Sequence, residues 1–199
     1  MSASIGMLSK HQLLTESTET TKLVLPTRPE RIVKDQFRFS LVAMGGTFDA
    51  LHRGHRKLLR EAFSIGKVVM IGVTSEGFAR TLHKPHKVDP YLVRKRELEK
   101  LLAEWGLLRR ARIVELNDKF GPAIRDSRIK AIVVSRRTIR TAYSINRKRR
   151  ANGLTPLVIV PIDLILAEDS RPISSTRIRR GRIDREGRLV PPSKLDERP

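Results

Sequence analysis

Apolar positions along the chain change their spacing several times, and each change predicts a switch between strand and helix. Runs of consecutive apolar residues, ended by glycine or by a polar residue, are typical of strands that are buried on both faces of a sheet. Such runs predict strands at residues 39–44, 68–73, 111–116, 131–135 and 157–166. Between these runs, apolar residues recur every three or four positions, which is typical of amphipathic helices. The predicted helices lie between Gly54 and Gly66, from Asp89 to Gly106, from about Pro122, from Thr138 to about Asn152, and from near Ser174.

The alternation of strand and helix determines the expected fold class. A strand followed by a helix and then by a parallel strand forms a right-handed crossover, and repeated crossovers build an open sheet. We therefore expect an α/β domain whose open parallel sheet carries helices on both faces, with ligands bound at the carboxyl ends of the strands. Residues 39–184 would form this domain, residues 1–38 an N-terminal extension rich in serine and threonine, and residues 185–199 a C-terminal tail.

The chain is strongly basic. Its 199 residues include 41 Lys and Arg against 21 Asp and Glu, which gives a formal net charge of +20. This excess excludes an acidic solvating protein and favours polyanionic partners, whether RNA, DNA, anionic lipid or a phosphorylated small molecule. The last third is the densest, because residues 136–199 carry 16 basic and 7 acidic side chains.

Two absences narrow the picture further. The chain contains no cysteine, which excludes disulfides and thiolate chemistry. It also contains no apolar run of ~20 residues, and its first residues lack the basic and apolar regions of a secretory signal. We therefore expect the protein in the cytoplasm.

The segment GGTFDALHRGH predicts a phosphate-binding turn. It follows a predicted strand and begins a helix, where free backbone N–H groups and the positive end of the helix dipole attract anions. Gly45 and Gly46 allow a close approach of the backbone and unusual φ values, and the Thr47 hydroxyl can donate to a phosphate oxygen. His52 and His55 are three residues apart, so a helix that begins just after the first of them would stack both on one face.

The same segment resembles the first signature of the nucleotidyltransferase superfamily, whose members use a Thr/His-x-Gly-His element to transfer a nucleotidyl group from ATP or CTP. Residues 173–179, with the sequence ISSTRIR, resemble its second signature. Two signatures in this order are far more specific than either alone. Within the superfamily, residues 39–184 are most similar to the archaeal and eukaryotic type of phosphopantetheine adenylyltransferase. This similarity also rests on AIVVS at residues 131–135, on the Ser-Ile-Asn element that ends at Asn146, and on AEDSRPISSTRIRRG at residues 167–181.

The resemblance implies a Rossmann-like nucleotidyltransferase fold and a specific reaction. The 4′-phosphate of phosphopantetheine would attack the α-phosphorus of magnesium-bound ATP, giving dephospho-coenzyme A and pyrophosphate in coenzyme A biosynthesis. Because the nucleophile is already ionised, no general base is required, and catalysis would consist of positioning and charge stabilisation. The Mg²⁺ would enter with ATP rather than on a metal site of the protein, and the oligomeric state is not indicated.

The resemblance also implies roles for individual residues. His55 would donate to the α-phosphate as charge builds there, Thr47 would orient the incoming phosphate, and Lys84 would neutralise it. Lys87 competes with Lys84 for that role, and Arg94 is a further candidate on the acceptor side. The residues expected to bind ATP are Gly45, Gly46, Phe48, His52, Ser135, Asn146, Ser174, Ser175, Thr176, Arg177 and Arg179.

Two of the positions near the expected site have an open role. Asn146 lies on the apolar stripe of its helix, where its amide would either read the adenosine of ATP or satisfy neighbouring backbone groups. Where the family commonly has the acidic residue of a Ser-x-Glu-Thr pattern, this chain has Arg137, in the sequence SRRT. A role for that position therefore cannot be carried over from the family.

Other functions share parts of these signatures. CTP-dependent cytidylyltransferases and archaeal FAD synthetases, which act on FMN, share the first, and nicotinamide mononucleotide adenylyltransferases share the second, so only the combination selects phosphopantetheine. A basic RNA-binding protein on the same fold would also explain the charge, although an aromatic content of 5% disfavours a base-stacking platform. We therefore expect ATP and 4′-phosphopantetheine as partners, with nucleic acid as the less favoured alternative.

Overall fold

The computed structural model describes residues 36–191 of the chain. Residues 1–35, which make up most of the expected N-terminal extension, and residues 192–199, at the end of the expected tail, lie outside the described residues. Within residues 36–191, no helix is both long enough and apolar enough to cross a membrane.

The described residues form one parallel sheet that is flanked by helices. Its strands are β1 (Phe39–Gly46), β2 (Gly66–Thr74), β3 (Ala111–Leu116), β4 (Ala131–Ser135) and β5 (Val158–Ile162). The helices are α1 (Arg53–Ile65), α2 (Glu76–Thr81), α3 (Tyr91–Glu104), α4 (Ile139–Ala151) and α5 (Ser175–Arg179), with 3₁₀ turns at Leu108–Arg110 and Gly121–Ile124. The strand order is β3-β2-β1-β4-β5, and every neighbouring pair is parallel. This architecture confirms the expected fold class, and the order reverses direction between β1 and β4, where open sheets bind their ligands.

Both faces of the sheet are covered, as the apolar runs predict. Along β1, Val42 and Met44 belong to the cluster that packs against α1 and α3, whereas Leu41 and Ala43 belong to the cluster that packs against α4. Burying a side chain of the size of Val or Leu contributes about 1.5–3 kcal/mol. The central strand is therefore fixed from both sides, which also fixes the turn at its carboxyl end.

Three elements differ from the sequence-based expectation. The helix expected from about Pro122 is only the 3₁₀ turn Gly121–Ile124. β5 ends at Ile162, earlier than expected, and the next residue, Asp163, is exposed and pairs with Arg136 at 2.6 Å. The short helix α2 is not indicated by the apolar spacing, because six residues are too few to show a helical period. Its start is fixed by Ser75, whose hydroxyl oxygen accepts a hydrogen bond from the Phe78 N–H at 3.1 Å.

The ordered domain continues beyond residue 184, where the sequence predicted a tail. Ile183 and Leu189 form an antiparallel bridge. The Arg185 carbonyl accepts a hydrogen bond from the Arg53 N–H at the start of α1, at 3.0 Å. The predicted boundary is therefore too early, because this backbone hydrogen bond holds the segment that follows it against the start of α1.

Candidate active site

A cavity of about 550 Å³ opens at the carboxyl ends of β1, β4 and β5, between the start of α1 and α5. This volume lies within the usual range of small-molecule sites. Of the residues expected at the site, those that line the cavity are Gly46, His52, His55, Lys84, Ser135, Ser174, Ser175 and Thr176. Two signatures that lie far apart in the sequence therefore share one cavity.

His52 and His55 form a stacked pair at the start of α1. His52 is the N-cap residue, and its Nδ1 accepts a hydrogen bond from the Gly54 N–H at 3.1 Å. A neutral imidazole that accepts at Nδ1 carries its proton on Nε2, so Nε2 is the donor atom of this ring. The two imidazole centroids are 3.9 Å apart, and the Phe48 ring lies 5.3 Å from that of His55. Phe48, expected to contact ATP, is fully buried and supports the His55 ring instead.

Both histidines are neutral at pH 7. Burial is the largest cause and lowers the pKa of His52 to about 4, with the positive charges of Arg56 and Lys84 acting in the same direction. Burial also lowers the pKa of His55 well below its usual 6.5, and His52 and Lys84 add to this effect. The Nδ1 atom of His55 is buried and has no hydrogen-bond partner among residues 36–191. The pair therefore offers neutral imidazole donors in a setting where an approaching anion would be poorly shielded by water.

Lys84 is the lysine that the structure brings to the cavity. It is half-buried in the loop between α2 and α3, and burial is the largest cause that lowers its pKa. The positive charges of Arg94 and Arg137 lower this pKa further, while Asp49 opposes them. Lys87, the competing candidate, is exposed and lines a neighbouring groove rather than this cavity. The geometry therefore favours Lys84 for contact with a phosphate.

Asp49 is the residue at this site that the sequence reasoning missed. Its carboxylate is fully buried and accepts hydrogen bonds from Arg179 Nη2 at 2.7 Å and from the Asp89 N–H at 3.2 Å. His86 Nε2 lies 3.2 Å from the other carboxylate oxygen, and the Asp49 carbonyl accepts from the Ser175 hydroxyl at 2.7 Å. This one residue therefore ties the turn after β1 to the loop that carries Lys84 and to α5.

The charge of Asp49 is stabilised by these contacts. Burial alone would raise its pKa, but the hydrogen bond from Arg179, the hydrogen bond from the Asp89 backbone and the nearby charges of Arg179 and His86 outweigh it. The pKa of Asp49 is therefore lowered from its usual value. Asp89, where the sequence predicted the start of this helix, pairs through its carboxylate with Arg179, and Pro90 is the N-cap residue of α3.

The turn between β1 and α1 adopts an unusual backbone at two residues that are not glycine. Phe48 has φ of 52° and Ala50 has φ of 45°, in the left-handed region that costs free energy for residues with a side chain. The sequence placed this freedom at Gly45 and Gly46, and that expectation is wrong. These glycines serve close packing, since a Cβ on Gly45 would lie 3.3 Å from the Leu116 side chain. The contacts of the Asp49 carboxylate and carbonyl hold the turn in its costly conformation.

The comparisons with known proteins agree with this geometry. A family described as cytidylyltransferase-like matches residues 43–181. The phosphopantetheine adenylyltransferase of Methanothermobacter thermautotrophicus is 46% identical over 157 residues, which cover 77% of this chain and 91% of that protein. That of Methanopyrus kandleri is 44% identical over 147 residues, covering 74% and 92%. This chain belongs to the phosphopantetheine adenylyltransferase family. A crystal structure of a protein with unknown function from Archaeoglobus fulgidus is similar with a TM-score of 0.56 and 33% identity, covering 61% of this chain and 88% of that one.

The departure from the phosphopantetheine adenylyltransferase pattern lies at the cavity itself. Arg137 is one of its lining residues and is exposed, and its charge acts on the pKa of Lys84. The neighbouring Arg136 is paired with Asp163 and is therefore partly neutralised. The charge reversal thus adds a cation to the rim of the site, where it attracts anionic substrates.

Arg94 has a different role from the one expected on the acceptor side. It is fully buried, and its guanidinium donates to the carbonyls of Asp89 at 2.8 Å, Thr47 at 2.7 Å and Thr74 at 2.8 Å. A guanidinium whose donors are occupied by backbone carbonyls has little capacity left for a phosphate. In this member of the phosphopantetheine adenylyltransferase family, Arg94 therefore joins the end of β2, the loop before α3 and the turn after β1, where Thr47 is itself nearly buried.

Asn146 satisfies backbone groups, which is the second of the two roles left open by the sequence. Its amide N–H donates to the Leu157 carbonyl at 2.9 Å, and its amide oxygen accepts from the Leu157 N–H at 2.7 Å. The side chain is buried between α4 and the start of β5 and does not line the cavity. The expectation that Asn146 binds ATP is therefore wrong, because both ends of its amide are already in use.

The arginines of the ISSTRIR segment brace the site rather than line it. Arg177 lies outside the cavity, where it pairs with Asp169 at 2.5 Å and donates to the Pro172 carbonyl at 3.2 Å. Arg179 is held by Asp49 and Asp89. The expected ATP contacts of this segment are thus confined to its hydroxyl residues, and among these the Ser175 hydroxyl is already committed to the Asp49 carbonyl.

The depressed pKa of His52 makes the stability of the fold sensitive to acid. The unfolded chain binds a proton at the usual value of 6.5, whereas folded His52 binds one only near 4. The stability from neutral His52 is therefore complete above pH 6.5 and is lost as the pH falls towards 4, by about 2–3 kcal/mol.

Urea unfolding of the wild-type protein and of His52→Asn, at about pH 7.5 and about pH 4.5, measures this loss. Asparagine keeps an N-cap acceptor but does not titrate, so the variant is expected to lose less stability between the two pH values. Equal losses in the two proteins would contradict the assignment of the acid sensitivity to His52.

Proposed function

We propose that this chain transfers the adenylyl group of ATP to 4′-phosphopantetheine, giving dephospho-coenzyme A and pyrophosphate. An oxygen of the 4′-phosphate forms a bond to the α-phosphorus, and the bond from this phosphorus to the oxygen bridging to the β-phosphate breaks. Pyrophosphate leaves with that electron pair. Because the attacking phosphate is already ionised at pH 7, no proton has to be removed, and the protein needs only to position two anions and stabilise the charge between them.

The arrangement that carries the proposal is the stacked histidine pair beside Lys84, facing hydroxyl residues across one cavity. His55 and His52 would donate hydrogen bonds from their imidazole N–H groups to the phosphates of ATP. His55 would donate to the α-phosphate as negative charge builds there. Ser174 and Thr176 would donate hydrogen bonds from their hydroxyl groups to the β- and γ-phosphates. Lys84 would neutralise the incoming phosphate, as expected from the sequence. The relatives that this chain matches over most of their length are named phosphopantetheine adenylyltransferases, which supports the same reaction.

Magnesium would enter this site bound to ATP. Among residues 36–191 there is no group of three or more His, Asp or Glu side chains that could hold a metal ion. Imidazole N–H groups, an ammonium and hydroxyl groups suit phosphate oxygens, whereas Mg²⁺ prefers carboxylate and phosphate oxygens. The fully buried Asp49 is committed to Arg179 and to the loop before α3. When bound, the ion would neutralise charge on the transferring phosphates, and the phosphates themselves would be its ligands.

The acceptor can be identified by a direct comparison. The protein is incubated with Mg-ATP and, separately, with phosphopantetheine, nicotinamide mononucleotide, FMN or glycerol phosphate, and pyrophosphate release is measured. A parallel series with CTP tests the nucleotide, because cytidylyltransferases share the first signature. We expect release only with ATP and phosphopantetheine. Release with a different acceptor alone would overturn the assignment, and release with CTP alone would indicate cytidylyl transfer.

Replacing Lys84 by glutamine is expected to weaken the use of the acceptor. Loss of one charge-assisted contact to phosphate should lower kcat/KM for phosphopantetheine by about 10- to 100-fold. Lys87→Gln is the matched control, since Lys87 is in the same loop, is exposed and lies outside the cavity. Steady-state kinetics of both variants checks the prediction. Equal effects would assign the contact to the general charge of the loop rather than to Lys84.

Location in the cytoplasm stays a prediction. It would be tested by fractionating cells that make the protein and locating it with an antibody. Recovery with the membrane fraction at high salt would contradict the expectation.

A further inference from the structure

Helix α4 carries a line of cations that the proposed adenylyl transfer does not use. Arg140, Arg147 and Arg150 are exposed, and Tyr143 lies between them with 61% of its surface accessible. The spacing i, i+3, i+7 and i+10 puts these four residues on one face of the helix. We refer to this face, formed by Arg140, Tyr143, Arg147 and Arg150, as the α4 stripe.

The charges of the α4 stripe are not neutralised within the described part of the chain. None of the three guanidinium groups has a side-chain hydrogen bond or an ion pair in residues 36–191. The helix itself contains no acidic residue, and the nearby Asp118 interacts with Lys148, which lies off the stripe. Like charges on one helix face repel each other, so an anion that lies along all three relieves that repulsion.

The shape of the α4 stripe favours a polymer over a small anion. At a rise of about 1.5 Å per residue, Arg140 and Arg150 are about 15 Å apart along the helix. The stripe lies on an open face and outside the cavity of the candidate site. A single phosphate cannot reach all three cations on such a line, whereas an extended chain of phosphates can contact them at the same time.

The composition of the α4 stripe points to a nucleic acid rather than to a lipid surface. The apolar residues of α4, among them Ala142 and Ile145, are buried against the sheet and cannot insert into a bilayer. Tyr143 offers one exposed aromatic ring between cations. Such a ring can stack on an unpaired base, and arginines beside it can hold the flanking phosphates. A duplex offers no free base face, so the ring favours a single strand.

We propose that the α4 stripe binds a single-stranded nucleic acid, with its arginines on successive phosphates and Tyr143 stacked on a base. This interaction is additional to adenylyl transfer and uses residues that do not line the active-site cavity. It assigns part of the positive charge of residues 136–199, which a nucleotide site alone does not require. Phosphates and unpaired bases occur in both RNA and DNA, so the test includes one strand of each.

Fluorescence anisotropy with labelled oligouridine RNA and oligodeoxyuridine DNA of about 12 nucleotides tests the arginines. The triple variant Arg140→Glu, Arg147→Glu, Arg150→Glu is compared with a control of the same charge change on another part of the surface. That control is Arg96→Glu, Lys100→Glu, Arg109→Glu, all exposed. The stripe variant should bind at least about 10-fold more weakly than the control. Tighter binding of the RNA would assign contacts to the 2′-hydroxyl, and equal binding would restrict recognition to phosphates and bases.

Two further measurements separate nucleic acid from general polyanion binding. Over about 50 to 200 mM salt, the stripe variant should show a salt slope smaller by about 2 than the control, at about 0.7 per lost phosphate contact. Tyr143→Ala should weaken oligouridine binding by about 5-fold or more and leave binding of inorganic polyphosphate unchanged. Thermal unfolding and pyrophosphate release monitor folding of each variant, because none of these residues belongs to the proposed active site.

Three results would overturn the proposal. Equal weakening by the stripe and control variants would mean that the net charge alone attracts the strand. If Tyr143→Ala weakened the binding of oligouridine and of polyphosphate equally, Tyr143 would not stack on a base. Retention on anionic phospholipid vesicles that is lost in the stripe variant, without oligonucleotide binding by the wild-type protein, would assign the surface to lipid.

Discussion

Replacing His55 by alanine will lower the turnover of adenylyl transfer by about 10²-fold or more, while the protein stays folded. The expected loss follows from the position of His55 in the cavity, with its ring stacked 3.9 Å from His52 and kept neutral by burial. A donor fixed in this way stabilises charge that develops on the transferring phosphate without having to reorganise. Removing it leaves that charge without a partner in a setting with little water.

Steady-state kinetics with Mg-ATP and phosphopantetheine measures this effect, and thermal unfolding checks the fold of the variant. His55→Asn, which keeps an N–H donor on a shorter side chain, should recover part of the lost turnover. If His55→Ala turned over at the wild-type rate, His55 would be a structural residue of the α1 start and the proposed mechanism would be wrong. If only KM for ATP changed, the ring would bind the substrate and the transition state equally.

Replacing Asp49 by asparagine will destabilise the fold by about 3 kcal/mol. Breaking a buried ion pair by removing the charge of one partner costs about 3–5 kcal/mol, and the lower end applies here because Arg179 keeps 30% of its side-chain surface exposed. The variant also weakens the contacts to His86 and to the Asp89 backbone, which hold the loop with Lys84. Activity should therefore fall together with stability.

Urea unfolding at neutral pH measures the destabilisation, with Asp163→Asn as the matched control. Asp163 also pairs with an arginine, Arg136, at 2.6 Å, but the side chains of both residues are 71% exposed. Exposed pairs contribute little, so the control should leave the unfolding midpoint nearly unchanged. Equal effects of the two substitutions would show that the Asp49 network carries no special share of the stability.

The fold is predictable from the sequence because its signals are local. Each buried strand is a run of apolar residues, and each long helix repeats its apolar side chains along one face, as α1 does with Leu58, Leu59, Ala62 and Phe63. The short helix α2 has no such repeat, and the segment after residue 184 is held against α1 by one backbone hydrogen bond, from the Arg53 N–H to the Arg185 carbonyl. Neither feature leaves a periodic trace in the sequence.

The site is predictable only as far as each signature is local. The histidine pair follows from a spacing of three residues at a helix start, and the hydroxyl residues follow from their place before α5. The buried partners do not, because Asp49 meets Arg179 across 130 positions and Arg94 meets Thr47 across 47. A signal for Asp49 exists, since it is an ionisable residue between the apolar Phe48 and Ala50, but it does not indicate which cation neutralises it.

For the same reason, basic residues near a phosphate site are easily predicted to bind the ligand when they in fact bind other groups of the protein. Arg94 and Arg179 carry the charge that phosphates require, yet both are engaged by oxygen atoms of the protein itself. Arginine donates in several directions at once, which lets it join backbone segments as well as anions. Lys84 differs from these two arginines not in its charge but in its position, because it lines the cavity and they do not.

The contact between Asp49 and Arg179 also has a consequence for the order in which the protein becomes active. Three of the four strand pairs in the sheet join strands that are consecutive in the sequence, and the fourth joins β1 to β4. The turn after β1, however, receives its support from α5, close to the end of the domain. Contacts between such distant positions form late, and during synthesis they cannot form before the ribosome has released residue 179. A nascent chain can therefore assemble most of its sheet while its catalytic cavity is still incomplete, so the onset of catalysis marks the end of folding.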